Sequence, residues 1–293
     1  MDRPLRDALA TQYGVPAESI REAPGGVANR AYALGNDLFV RIPRTPAFDQ
    51  DLIKESTVIP VARAAGVRTP GIVAFDTTRA LIDAPYMVLE RVHGTDLVDT
   101  DEPSPAFWQE VGSQLALLHQ VEQPPTGVHP DNGGGDPRPT VDQLATAGYL
   151  DPGTANWLLA CFDHLTGLIP DNLPPVLLHG DLAQQNLMTH DNHLQALIDW
   201  GDAAWGPPGM EFAKLRLDHV LPVLRNYPHH EGLEASILWF HLSWGISGLA
   251  KPPQPGQRHW TAPPPSRLLG VLRFYASSPP TPWRELLSQK AQY

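Results

Sequence analysis

Residues 177–190 read LLHGDLAQQNLMTH, and residues 197–202 read LIDWGD. Four polar residues, His179, Asp181, Asn186 and Asp199, sit here among runs of Leu, Ile, Met and Val that are made for burial. An unpaired carboxylate is very costly to take out of water, so two of them beside an amide in an apolar setting call for a compensating partner. The flanking segments QNLMT (185–189) and LQALID (194–199) pattern as short strands joined by the turn His190-Asp191-Asn192-His193. Antiparallel pairing sets the start of one strand beside the end of the other, which brings Asn186 next to Asp199.

Working outward, the first ninety or so residues read as strands with one interrupted helix. RAYAL (30–34) and LFVRI (38–42) flank the turn Gly35-Asn36-Asp37, a hairpin signature. Leu38, Val40 and Ile42 share one face of the second strand, so Arg41 points the other way. Residues 49–65 are helical in pattern, with Glu55 ahead of Pro60, which should kink the helix or begin a second one. The strand PYMVLERV (85–92) closes this region, and the composition then shifts towards helices, with the boundary set between residues 92 and 93. Ser104 and Pro105 open a helix carrying Phe107, Val111, Leu115 and Leu118 on one stripe. Another helix is expected from about 154 to 168. The Gly/Pro-rich loop QPPTGVHPDNGGGDPRP (123–139) is too long for a simple connection, and loops of that kind are usually functional. LRLDHVLPVL (215–224) and EASILWFHLSWGISGLA (234–250) read as buried helices.

Composition narrows the function. The chain has 293 residues, 42% hydrophobic, enough for two cores meeting at a cleft. Its single cysteine, Cys161, excludes an internal disulfide and a thiolate zinc site. A formal charge of −11 disfavours nucleic acid and anionic lipid as partners and suits a cationic small molecule. No apolar run is long enough to span a bilayer and no secretory leader is evident, so a cytoplasmic protein without membrane contact is expected, as a monomer or homodimer.

Phosphoryl transfer needs a group to orient the attacking hydroxyl, oxygen ligands for Mg²⁺ and a cation on the nucleotide phosphates. Its template is an Asp, an Asn five residues later and a further Asp; Asp181, Asn186 and Asp199 match it. The stretch HGDLAQQN…IDWGD resembles the signature of the aminoglycoside phosphotransferase and choline kinase-like family, and GPPGMEFA (206–213) resembles the segment that follows it, with Glu211 where an Asp is usual. The resemblance implies an α+β, two-lobed protein kinase-like fold: a small antiparallel sheet lobe with one helix over residues 1–92, and a larger, mainly helical lobe over 93–293.

It also implies roles. PGGVANRAYAL (24–34) is similar to the phosphate-covering hairpin, with Gly25, Gly26 and Asn29 in place. Arg41, braced by Glu55, stands where the basic phosphate ligand belongs, a departure because Lys is the commoner choice in protein kinases; no Lys precedes Lys54. Arg grips phosphate with a fork instead of a point charge. Asp181 then orients the hydroxyl, Asn186 and Asp199 hold Mg²⁺ on ATP or GTP, and His179 supports the loop. Backbone groups from Glu90 to Val92 meet the base, with Met87 and Leu187 or Ile198 sandwiching it. Asp202 and Glu211, with Asp218 beyond them, follow on the substrate side, where acidic groups suit an amine; Glu211 equally allows a structural role as a cap or an ion-pair partner. The implied activity is O-phosphorylation of a small-molecule alcohol. An amine-bearing antibiotic is preferred, because the 123–139 loop and the Trp-rich C-terminal helices suggest a sizeable pocket, although Trp239, Trp244 and Trp260 at such spacings are more often core than ligand platform. A metabolic alcohol such as choline, a sugar or an amino alcohol is the alternative. A two-metal hydrolase built on His179, His190, His193 and the aspartates, and a nucleotide-binding pseudokinase, are the competing classes.

Overall fold

The computed structural model describes residues 3–23, 26–97, 102–250 and 264–287; Gly25 and Trp260 lie outside them. The chain opens with helix α1 (Arg3–Tyr13), then strands β1 (Ile20–Ala23), β2 (Asn29–Leu34) and β3 (Leu38–Pro43), helix α2 (Asp49–Ala64), and strands β4 (Ile72–Asp76) and β5 (Tyr86–Glu90). The five strands form one antiparallel sheet in the order β1-β2-β3-β5-β4.

The two faces of that sheet feed different cores. Leu34, Val40, Ile42, Tyr86 and Val88 pack with Leu9 and Ile20 on the α1 side. Met87 and Leu89 face the other way, onto Leu52, Val58, Ile59 and Ala62 of α2, in a core continuous with the helical lobe. Strand alternation thus puts Arg41 on the α2 face, as its neighbours require. α1 is an addition to the single helix expected here. Leu5, Leu9 and Tyr13 recur at a four-residue spacing and meet the sheet edge, which selects a helix for a segment whose charges mask its pattern.

Pro60 does not start a second helix: α2 runs through it as one element. In the turn before the proline, the Ser56 and Thr57 hydroxyls donate to the Ile53 and Lys54 carbonyls, the side-chain back-bonding that helices tolerate at a bend. The buried residues of α2 are Leu52, Glu55, Val58, Ile59 and Ala62, so a carboxylate interrupts the apolar face.

The second lobe begins with β6 (Thr95–Asp96) and helices α3 (Pro105–Leu118), α4 (Arg138–Thr146) and α5 (Pro152–Leu168), then β7 (Val176–Leu178), β8 (Leu187–His190), β9 (His193–Leu197) and β10 (Ala204–Gly206). Helices α6 (Pro208–Glu211), α7 (Leu217–Leu224), α8 (Leu233–Ser247), α9 (Pro264–Ala276) and α10 (Trp283–Leu286) complete it. Ser104 caps α3 by accepting the Phe107 amide. β8 and β9 pair through a two-residue turn with Asp191 and Asn192 both left-handed, at φ 50° and 61°, the geometry that suits the strand twist.

The lobes are tied at the α2–β4 connection. The Leu197 amide donates to the Arg68 carbonyl at 2.8 Å, and Trp200 Nε1 donates to Thr69 Oγ1 at 2.9 Å. No helix among the described residues is long and apolar enough to cross a membrane.

Candidate active site

β7 ends at Leu178 and hands the chain to His179-Gly180-Asp181. Gly180 has φ +79°, and a Cβ there would come within 2.0 Å of the Asp202 carbonyl oxygen, so only glycine lets the loop lie against the Asp202 backbone. Asn186 closes the loop: its Nδ2 donates to the Asp181 carbonyl at 2.8 Å and to Asp181 Oδ2 at 2.9 Å. The five-residue separation therefore acts through a direct side-chain contact. Leu182 and Ala183 fill the core between them.

Glu211 lies beneath this loop. Its carboxylate accepts the His179 amide at 2.6 Å and the Gly180 amide at 3.2 Å, and His119 Nε2 stands 3.4 Å away, itself bonded through Nδ1 to the Tyr227 hydroxyl at 2.6 Å. Burial works to raise the Glu211 carboxyl, but His119 and the His179 amide hold it below the usual range. The expectation that Glu211 faces the substrate is corrected: at 1% exposure it has no surface to offer one. It fixes the loop from inside, because two loop amides need an acceptor the protein must supply. Asp218 is likewise taken up elsewhere, by Arg216 at the start of α7.

Asp199 follows β9 in the left-handed region, φ 69°, a strained backbone for a non-glycine residue and of the kind that clusters at functional sites. Its Oδ1 accepts Arg41 Nη2 at 2.7 Å, while Arg41 Nη1 donates to Glu55 Oε2 at 2.5 Å. One guanidinium thus spans both lobes. Burial opposes the Arg41 charge, yet the Asp199 and Glu55 carboxylates raise its affinity for the proton. Desolvation likewise pushes Asp199 up, and Arg41 pulls it below the usual carboxylate range. Glu55 differs: burial, reinforced by the Asp199 charge, outweighs Arg41 and pushes it up to about 8. A methyl group at Gly26 would stand 3.9 Å from Asp199 Oδ2, so the Gly26 backbone lies close to the site. Asn29, at the start of β2, is buried with Oδ1 unpartnered.

Asn186 Oδ1 and Asp199 Oδ2 are left by these bonds as oxygen donors. That set suits a hard dication that keeps waters and takes its other ligands from phosphates.

Two expectations around the base fit less well. The Glu90 and Arg91 amides donate to the Gly71 and Asp37 carbonyls, and the Glu90 carboxylate bonds Arg63 and the Gly71 amide. Met87 and Leu187 are fully buried, leaving Ile198 as the partly exposed member of the trio. The histidines of the hydrolase alternative also disperse: His193 bonds Glu110 at 2.7 Å, and His190 stands beside Asp191 on the exposed turn.

One contact was not foreseen. Lys214 Nζ donates to Asp181 Oδ1 at 2.8 Å and lies 5.4 Å from the Trp244 ring centre. Trp244 in turn walls a cavity of about 390 Å³ together with Asp131, Gly133, Asp136 and Met210, which joins the 123–139 loop to α8. Desolvation, followed by the Asp181 charge, raises the Asp202 carboxyl above the usual range, and Lys214 opposes them. No sequence spacing announces Lys214; only its position three residues after Glu211 could have suggested it.

A family model described as the phosphotransferase enzyme family matches residues 19–229, a span that holds every residue named above from Asn29 to Glu211. The chain belongs to the phosphotransferase enzyme family. It is a phosphotransferase with a protein kinase-like fold, and solved structures agree on the fold. The GDP and kanamycin complex of APH(2")-IIIa matches with TM-score 0.64 at 18% identity, covering 91% of this chain and 98% of that one. The streptomycin–ATP–APH(2")-IIa ternary complex gives 0.61 at 16% identity, covering 92% and 96%. Spectinomycin phosphotransferase APH(9)-Ia, in complex with ADP and spectinomycin, gives 0.58 at 14% identity, covering 97% and 96%. No curated protein sequence matches this phosphotransferase.

Proposed function

We propose that the protein transfers the γ-phosphoryl group of Mg-ATP or Mg-GTP to a hydroxyl of a small molecule, acting in the cytoplasm. The reading is carried by one observation: Asp181, Asn186 and Asp199 converge where Arg41, braced by buried Glu55, reaches across from the sheet lobe. Asp181 takes the hydroxyl proton. Asn186 and Asp199 would hold Mg²⁺, which neutralises phosphate charge when bound. Arg41 turns its fork to the phosphates, with Glu55 keeping it in place, and Gly26 and Asn29 cover them. The Val92 amide meets the nucleobase, since those of Glu90 and Arg91 are already used.

Amine-bearing antibiotics are the first acceptors to try, because the net charge is −11 and Asp131, Asp136 and Asp202 flank the acceptor side. Lys214 beside Asp181 favours a second reading, a metabolic alcohol with no ammonium next to its reacting hydroxyl. Incubation with Mg-ATP or Mg-GTP and a panel of kanamycin, streptomycin, spectinomycin, choline and sugar alcohols, read by mass spectrometry, separates the two. A gain of one phosphoryl group on one class identifies it. Absence of both phosphorylated product and nucleoside diphosphate across the panel contradicts the proposal.

A further inference from the structure

Both oxygens of Asp181 are engaged. Oδ2 accepts Asn186 Nδ2 at 2.9 Å and Gln185 Nε2 at 3.4 Å, and Oδ1 accepts the Lys214 ammonium at 2.8 Å. Lys214 ends the short turn Phe212–Lys214, which follows directly on Glu211 and is held at its flank by Arg267, donating to the Ala213 carbonyl at 3.1 Å. The side chain is 19% exposed and its ammonium lies beside Trp244. It is packed in place, on a buried turn, and its ammonium bonds Asp181 Oδ1, whereas Asn186 bonds Oδ2.

On the phosphotransferase reading above, the acceptor hydroxyl must bond an Asp181 oxygen. Oδ2 is turned to Asn186, so Oδ1 receives it, and Oδ1 is shared with Lys214. Two atoms that each lie ~2.8 Å from one oxygen are about 4.5 Å apart. The ammonium therefore stands next to the attacking oxygen and within a small side-chain adjustment of the phosphorus it attacks.

We infer that Lys214 is a catalytic cation of the transfer step. As the hydroxyl oxygen bonds to the γ-phosphorus, its proton passes to Asp181, and the bond from phosphorus to the β–γ bridging oxygen breaks with its electron pair leaving on the nucleoside diphosphate. Lys214 donates to a non-bridging oxygen of the moving phosphoryl group, where charge must be held in the transition state. Its place 33 residues along the chain from Asp181 couples this cation to the loop-supporting carboxylate Glu211 through three residues of backbone.

Water as acceptor tests the role without knowledge of the alcohol: it attacks the same phosphorus and yields inorganic phosphate. Hydrolysis of Mg-ATP and Mg-GTP is followed for the full chain and for Lys214→Met, Lys214→Arg, Asp181→Asn and the double variant Asp181→Asn/Lys214→Met. Lys214→Met is expected to lower kcat by about 100-fold, the loss seen when one transition-state donor is removed. The nucleotide KM should stay within about threefold, and Lys214→Arg should recover most of the rate. The double variant should fall below Asp181→Asn alone, because a group that touches the phosphoryl acts without Asp181. Should Lys214→Met melt early, Lys214→Gln serves in its place.

Hydrolysis by Lys214→Met at the wild-type rate overturns the inference and leaves the phosphotransferase reading intact. Equality of the double variant with Asp181→Asn overturns it too, by showing that Lys214 acts only through Asp181. A wild-type protein that transfers phosphate to neither water nor alcohol removes the phosphotransferase reading and this inference with it.

Discussion

The two sides of the site hold their carboxylates with different cations. On the sheet-lobe side Arg41 forks between Asp199 and Glu55; on the helical side Lys214 puts a point charge on Asp181. The difference follows from what each must bridge. Arg41 starts on β3 and spans two lobes, so a planar guanidinium with separated donors can bond one carboxylate from each. Lys214 reaches Asp181 Oδ1 from a turn in the same lobe, with a compact ammonium instead of a planar fork. A second contrast lies in compensation. Glu55 is buried in an apolar stripe and depends on Arg41, whereas Asp181 keeps Asn186 if Lys214 is lost.

Breaking the acceptor side has the largest expected effect. Asp181→Asn should lower transfer by about 10³-fold, the share of positioned proton transfer in such reactions, with the Mg-nucleotide dissociation constant unchanged; steady-state kinetics beside calorimetry checks both. Breaking the sheet-lobe side should give the opposite pattern. Arg41→Ala leaves Glu55 buried without its partner, a loss of about 3 kcal/mol in unfolding free energy, and should weaken nucleotide binding as well. Arg41→Ala/Glu55→Gln should regain part of the stability and none of the nucleotide affinity. A denaturant series on the three proteins tests this, and equal losses in the single and double variants would show that the pair does not stabilise the lobe junction.

Glu211→Gln sharpens the comparison from below. It removes the charge that accepts the His179 and Gly180 amides, with an expected cost of about 2 kcal/mol and a fall in kcat without change in nucleotide affinity. The smallest effect lies outside both sides. His241 is buried near Arg267, and burial followed by that charge pushes it down to about 3. Between pH 6.5 and about 3 the unfolded chain then binds a proton that the folded chain does not. Stability therefore falls as pH drops through that window, by about 2 kcal/mol at pH 5 relative to neutrality. His241→Asn should flatten that slope in thermal melts.

How much of this was legible in sequence depends on whether the signal was local. The Asp181–Asn186 spacing and the β8–β9 turn are short-range features, and strand alternation alone put Arg41 opposite Val40. The partnership with Glu55 was expected only through the resemblance to the phosphotransferase family, since the helix pattern itself says nothing about which cation Glu55 meets. Glu211 stood open between substrate and structure because acidity says nothing about direction: only the fold turns its carboxylate under the 179–181 loop. Lys214 escaped notice because a lone lysine carries no periodicity, and its meeting with Asp181 is created by the packing of α6 against β7. α1 was missed because charged residues between Leu5, Leu9 and Tyr13 hide a narrow apolar stripe that only the sheet edge completes.

The claim underlying all of these is that Asn186 and Asp199 hold a divalent ion against phosphates gripped by Arg41. Titration calorimetry of ATP and GTP, with and without Mg²⁺, on the wild type and Asp199→Ala tests it most directly. Tight binding that requires Mg²⁺ and is lost in Asp199→Ala is the predicted result. Binding of equal strength in the presence of chelator, or undiminished in Asp199→Ala, would contradict it.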